Sequence, residues 1–360
     1  MTINKKTKIL IFRTDRIGDL VNTSSFLKSL KSYYVNSEIT LVCSNYNRPI
    51  AESYKFIDKI IIYDKSFIFF DKIKIFTKLI TSFYDIAMAF DGKNFSYLVS
   101  LFNRAKHKYA VCFKKQKNFF GQNFNIFRPS IILCKIFFDT YVICDEDYNK
   151  QNVNSDFNNH YLTMYYHLLK KNHINLIPEK HVFIINKNSK TTFDNFYTKN
   201  IKKNFLNIHI DHKWDDYQIN LERFNSMLKR IALKKNIVIT SGKEGSLFFE
   251  NLKKHFKNFS YENSDFFQKN KFTISNVVLI ENLSINLLAC LLKETILHVS
   301  SHSGATFHIS AAFNKPIIDF IKKNKESEYD RWIPPDTDYA RADVNKLSDL
   351  ESAINNKIKF

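Results

Sequence analysis

The chain has 360 residues, 44% of them apolar, and carries 54 Lys and Arg against 35 Asp and Glu, a formal charge of +19. The apolar share excludes a disordered chain, and the length suits two domains of ordinary size better than one. Five cysteines without CxxC spacing argue against a zinc site or disulfide framework and for a reducing compartment.

Taken in chain order, residues 8–13 read as a strand and 20–34 as a helix. A strand at 38–43, a helix near 48–54 and strands at 57–63 and 84–90 follow. Strands alternating with helices predict βαβ units and a parallel sheet. The pattern blurs from 114 to 159. Residues 186–204 are rich in Lys, Asn and Thr and read as a linker. The alternation then restarts, with strands at 205–210, 236–240, 277–280, 295–300 and 316–321 and helices at 220–233, 246–256, 284–293 and 305–313. The expected fold class is α/β, two Rossmann-like domains with parallel sheets facing a central cleft. The expected boundaries are 1–180 and 181–345, with a helix over 346–360 packing back on the N-terminal domain. The opening residues enter a strand pattern at once, with no secretory signal. The most apolar stretch, 130–144, is interrupted by Lys135 and Asp139 and is not a membrane span. The expected location is therefore cytoplasmic.

Chemistry concentrates where strands hand over to helices. The stretch FRTDRIGDLVNTSSFL, residues 12–27, puts Gly18 and Asp19 just beyond the first strand. Ligands of open parallel sheets bind at that end. Asp19 there reads either as a helix N-cap or as a carboxylate at the mouth of a cleft. One glycine stands where the dinucleotide fingerprint needs three. The stretch SSHSGATFHISAAFNKP, residues 300–316, is a second strand-to-helix turn, whose free N–H groups suit an anion. His302, Ser303, Gly304 and His308 cluster on it; the alternative is capping by Ser301 or Ser303 with His308 half-buried. In NIHIDHKWDDYQINLERF, residues 207–224, Lys213 and Trp214 offer a charge and an apolar wall to a phosphate and sugar, unless this is a solvated loop. SGKEG, residues 241–245, is either a turn or a ribose contact through Glu244.

The acidic triplets at 145–147 and 336–338 have a D-x-D form but do not follow clear strands, and no metal site is assigned. Residues 64–83 carry Phe69, Ile73, Phe76 and Ile80 at helical spacing among Lys65, Lys72, Lys74 and Lys78. That is the composition of a membrane-surface helix, or of a core helix with a lysine-rich outer side. The basic, aromatic stretch 113–128 would also suit single-stranded nucleic acid.

These turns, in this order, resemble the family 9 glycosyltransferases, the bacterial heptosyltransferases of lipopolysaccharide synthesis. The opening, KILIFRTDRIGDLVNTSSFLKSL, is similar to the family's strand, R-x-D-R-x-G-D and helix. The resemblance resumes at NIHIDHKWDDYQINLERF, where the family has a strand, a loop with Lys-x-Trp and a helix, and continues through IVITSGKEG and the stretch from Leu283 to Phe320, where the family reads D-T-G-x-x-H-x-A-x-A before a K-P strand. The resemblance covers about two thirds of the chain and implies a GT-B fold with inverting, metal-independent transfer and no cofactor. The donor it implies is a nucleotide sugar, ADP-heptose above all. The acceptor it implies is a glycolipid or other glycan of the lipopolysaccharide, lipooligosaccharide or capsule type at the inner membrane, not nucleic acid. On this resemblance Asp19 is the general base; Lys213, Glu244, Leu283, His302, Ser303, Gly304 and His308 hold the donor; and Arg13, Arg16 and Gly18 meet the acceptor. His302 departs from the family's Asp, and the family's F-G-P after the last strand is absent. The alternatives in other classes are a basic nucleic-acid-binding protein and a non-catalytic glycan-binding relative.

Overall fold

A computed structural model describes residues 6–119, 122–145, 162–242, 245–255, 261–264, 267–271, 276–334 and 336–358. It divides into two compact units, Met1–His181 with Asp330–Trp332, and Val182–Tyr329 with Ile333–Phe360.

The first unit holds strands β1 (Thr7–Arg13), β2 (Ser37–Cys43), β3 (Lys59–Ile62), β4 (Ile86–Ala89), β5 (His107–Phe119), β6 (Gln122–Arg128) and β7 (Thr140–Asp145). The sheet order is β3-β2-β1-β4-β5, parallel throughout, with β7 parallel and β6 antiparallel to β5. Its central strands are near-continuous apolar runs because helices cover both faces. In register, Leu10 and Phe12 of β1 share a face with Ala87 and Ala89 of β4 and with Ala110 of β5. Helices Phe69–Thr81, Asn94–Phe102 and Ile131–Phe137 pack on that face through Leu79, Val99, Tyr97 and Cys134. Helices Ile17–Tyr33 and Thr163–Lys170 meet through Phe26, Phe90 and Tyr165, whose rings lie 4.2 to 5.5 Å apart.

The second unit holds β8 (Phe205–Ile210), β9 (Asn236–Ser241), β10 (Tyr261–Ser264), β11 (Phe267–Lys271), β12 (Val277–Glu281), β13 (Leu297–Ser300), β14 (Ile317–Ile321) and β15 (Tyr339–Asp343). Its order is β10-β11-β12-β9-β8-β13-β14-β15, parallel from β12 to β15. Both sheets thus start in the middle and grow outward in two directions, the doubly wound Rossmann order.

Three expectations are corrected. The stretch 186–204 contains a helix, Lys187–Asn200, begun by Asn186, whose side chain accepts from Ser189 N at 2.7 Å. The blurred stretch contains an antiparallel hairpin, β5 with β6. The C-terminal helix, Leu347–Lys357, belongs to the second unit, not the first: Leu350 and Ile354 enter its core, and Arg230 donates from Nε and Nη2 to the two carboxylate oxygens of Glu351 at 2.8 and 2.7 Å. Its inward residues pack against β14 and against β15, where Ala342 is buried. Among the described residues, no helix is long and apolar enough to cross a membrane.

Candidate functional site

The switch point of the first sheet lies between β1 and β4, where the chain order reverses. A cavity of about 780 Å³ opens there, lined by residues that follow the strand ends: Thr14, Asp15, Arg16 and Asp19 after β1, Ser44 after β2, Tyr63 to Lys65 after β3, and Asp91 to Phe95 after β4. Arg331 and Trp332, of the segment that joins this unit, also line it.

Asp91 ties the two sides of the switch point together. It accepts from Thr14 Oγ1 at 2.6 Å, Thr14 N at 3.2 Å, Ser96 Oγ at 2.8 Å and Lys93 N at 3.1 Å. Asn47 donates to the carbonyls of Arg13 and Asp15 at 3.1 and 3.2 Å, fixing the loop after β1 from the other side. Gly92, at φ +64°, turns the chain where a Cβ would stand 2.9 Å from the Phe113 ring. No larger residue takes that turn without moving a cavity wall.

Arg13, assigned above to the acceptor, is 1% exposed and faces inward. Its Nη1 donates to the Phe90 carbonyl at 3.0 Å and the Tyr165 hydroxyl at 3.2 Å; its Nε stands 3.3 Å from Asp15 and its Nη2 3.8 Å from Asp19. A guanidinium so buried and so held sets the positions of the carboxylates beside it. Gly18 is buried in the first helical turn. Arg16 is exposed and lines the cavity. Arg16, not Asp19, occupies the N-cap of helix Ile17–Tyr33, and no side chain caps that end. The capping alternative for Asp19 therefore fails. Asp19 sits in the first turn, where the helix dipole favours its negative charge.

The three carboxylates of the loops after β1 and β4 differ in state. Asp91 is saturated by donors. Burial pushes Asp15 well above the usual carboxylate range, opposed by Arg13 and reinforced by Asp19 and Asp91. Asp19 is partly exposed to the cavity, and its 3.8 Å separation from Arg13 is too long for a hydrogen bond.

The switch point of the second sheet lies between β8 and β13. The turn Ser301-His302-Ser303 follows β13 and leads into helix Gly304–Ala312. Ser303 is the N-cap residue and makes no side-chain cap bond, and Ser301 Oγ donates instead to Asp211 Oδ1, after β8, at 2.6 Å. The first-turn N–H groups are thus not taken by a cap, and nothing lies within 4 Å of where a Gly304 Cβ would be. Lys213 donates to the carbonyls of Ser301 at 3.1 Å and His302 at 2.9 Å, and its Nζ stands 5.3 Å from the centre of the Tyr329 ring. It braces the turn through these two carbonyls. Trp214, read above as a ligand wall, is 1% exposed and packs among Phe224, Phe248 and Phe320 in the core. Leu283 is buried just before Ser284, which caps helix Ile285–Glu294; His308 is buried beside the Phe307 ring. Glu244 lies outside the described residues.

His302 adopts φ 55°, costly for a residue with a side chain. Its ring is stacked on Tyr329 at 4.2 Å, and its Nδ1 lies 2.5 Å from Asp319 Oδ2. Tyr339 donates its hydroxyl to the same oxygen at 3.0 Å, and burial followed by the Asp319 charge pushes that phenol up. Asp319 was missed in the sequence reading, although an Asp within the buried run Ile317–Ile321 was the available signal.

Neither a protein-family model nor a curated protein matches this chain by sequence. Solved structures do match in three dimensions. A family 9 glycosyltransferase from Veillonella parvula superposes with a TM-score of 0.68 at 15% identity, over 100% of this chain and 91% of that one. The ADP-heptose lipopolysaccharide heptosyltransferase II of E. coli gives 0.68 at 12% identity, over 98% of each chain. E. coli heptosyltransferase WaaC with ADP-2-deoxy-2-fluoro heptose gives 0.61 at 14%, over 98% of this chain and 99% of that one. The fold is GT-B. Identity this low carries architecture and no activity. Within GT-B, the two polar sites of this chain each occupy the switch point of a doubly wound sheet.

Proposed function

We propose that the protein is a glycosyltransferase of the heptosyltransferase type, moving a sugar from a nucleotide donor to a glycan acceptor with inversion and without a metal. The observation that carries this reading is the division of labour among three carboxylates. Asp91 is spent on hydrogen bonds and Asp15 is driven toward its neutral form, while Asp19 is left open to the cavity. In the reaction, Asp19 accepts the proton of an acceptor hydroxyl as that oxygen bonds to the anomeric carbon. The bond from that carbon to the phosphate oxygen breaks, and the nucleoside diphosphate leaves with the electron pair. The uncapped N–H groups at Ser303 and Gly304 receive its charge, and Lys213 keeps their turn in shape. His302, Leu283 and His308 complete the donor side. Arg16 is the acceptor-facing cation. The acceptor in this reading is a lipid-linked glycan met by the first unit, which also touches the membrane through residues 65–83.

The WaaC structure contains an ADP-sugar analogue, and an ADP-heptose is the first donor to try. His302 stands where the family has Asp, so the test spans ADP-, UDP-, GDP- and CMP-sugars in a thermal-shift screen. A ligand bound only by the folded state raises Tm by mass action. One responding nucleotide identifies the donor. With it, Asp19→Asn is expected to lower kcat by roughly 10² to 10⁴-fold with little change in nucleotide affinity. Loss of both would make Asp19 a structural residue, and a response to no nucleotide would refute the reading.

A further inference from the structure

The geometry points to one side of the first unit as a docking surface for an anionic lipid bilayer, built from three neighbouring helices rather than one. Exposed large apolar residues are distributed unevenly: all among the described residues except Leu233 and Leu247 lie in the first unit. Many of them stand on the helix layer over Leu10, Phe12, Ala87, Ala89 and Ala110. Helix Phe69–Thr81 turns Ile75, Phe76, Leu79 and Ile80 to the core, which leaves Phe70 and Ile73 outside. The spacing-based face of Phe69, Ile73, Phe76 and Ile80 is therefore split between core and surface. Helix Asn94–Phe102 packs against it and exposes Leu98 and Phe102, four residues apart on one stripe. The Phe102 and Phe76 rings, 6.3 Å apart, join the two helices. Helix Ile131–Phe137 shares the Tyr97 and Cys134 cluster with the second helix and exposes Ile132 and Ile136, also four apart. Because all three helices press one side onto the same sheet face, their outer residues form a common surface.

The charge on that surface selects the occupant. The three helices carry Lys72, Lys74, Lys78 and Lys135 against a single acid, Asp71. Apolar rings and branched chains interleaved with lysine match the acyl boundary and anionic headgroups of a bilayer. A second copy of this chain would bring the same lysines against each other. This inference widens the membrane contact of the reading above from one helix to a layer, and it rests on exposure and charge, not on sugar transfer.

The test is co-sedimentation with vesicles of phosphatidylglycerol and phosphatidylethanolamine, against phosphatidylcholine alone. The wild-type chain is expected to bind the anionic vesicles, to bind the neutral ones far less, and to lose binding as salt rises to about 0.5 M. The combined substitutions Phe70→Ser, Ile73→Ser, Ile132→Ser and Ile136→Ser are expected to weaken binding at least about tenfold with Tm unchanged, because each side chain is already exposed in the fold. The nucleotide-sugar response of this variant should equal that of the wild type, so the two readings fail separately. Equal binding by wild type and variant, or no binding of the wild type to anionic vesicles, overturns the inference. So does a vesicle-free dimer in light scattering that the same substitutions dissolve.

Discussion

Burial holds the Asp15 carboxyl toward its neutral form, and that has a direction in stability. An acid whose folded pKa is raised adds stability only at low pH, and the benefit is lost as pH rises through the folded value. Asp15→Asn removes the ionisation while keeping shape. Its expected effect is a higher Tm at pH 8 and no change at pH 3, read by calorimetry. Asp319 matters through its partners. It is fully buried, accepts from Tyr339 and pairs with His302, so Asp319→Ala takes the partner from the buried His302 Nδ1 while the half-buried Tyr339 hydroxyl keeps Arg341. A loss of about 1–3 kcal/mol is expected in urea unfolding. His302 then keeps positive φ only through the Tyr329 and Phe307 rings and the Lys213 bond to its carbonyl, and nucleotide affinity should fall with the lost anchor. Asp19 was legible because it follows a strand pattern and a glycine. Its partnership with Arg13 was not, because an arginine buried by its neighbours looks the same in sequence as one reaching for a ligand.

At the scale of elements, the strands that could be read were those buried on both faces, since parallel strands are written as short unbroken apolar runs. Two of the elements that were missed are half-polar. Helix Lys187–Asn200 buries Phe193 and Tyr197, four apart, against a strongly polar remainder, so composition mimics a linker. Strand β15 alternates and is mostly half-buried. The C-terminal helix carries the element-scale prediction. Leu350 is fully buried in the second core, so Leu350→Ala should cost about 2–5 kcal/mol. A surface helix would lose only a few tenths, and urea titration separates the two.

At the scale of the whole molecule, buried histidines set an acid limit. Burial lowers His209 and drives His298 well below its ordinary value, and it lowers His181 to about 4. His209 and His298 are tied to Thr240 at 3.0 Å and to Asn207 at 2.9 Å, and His181 to Asn22 at 2.8 Å. A base whose folded pKa is depressed is protonated first in the unfolded chain. The histidine contribution to stability is therefore full above about pH 6.5 and falls as pH drops below it. Tm is expected to decline between pH 6.5 and 4, and His298→Asn or His209→Asn should flatten that slope if they fold. Equal slopes in wild type and variants would assign the acid loss to other groups.

The amino-acid order by itself determined the alternation of strands and helices, the two Rossmann-like halves and the turns at Asp19 and at Ser303-Gly304, because each is a local consequence of apolar period and of where polar residues break it. Tertiary structure alone decided which carboxylate is spent, which is pushed toward its neutral form and which is open. It also decided that Arg13 and Trp214 turn inward, that Asp319 backs His302, and that the last helix joins the second core. These are matters of burial and of partners 17, 20 and 152 residues away. Nothing in the local pattern encodes the dielectric a side chain will meet once the sheets have formed.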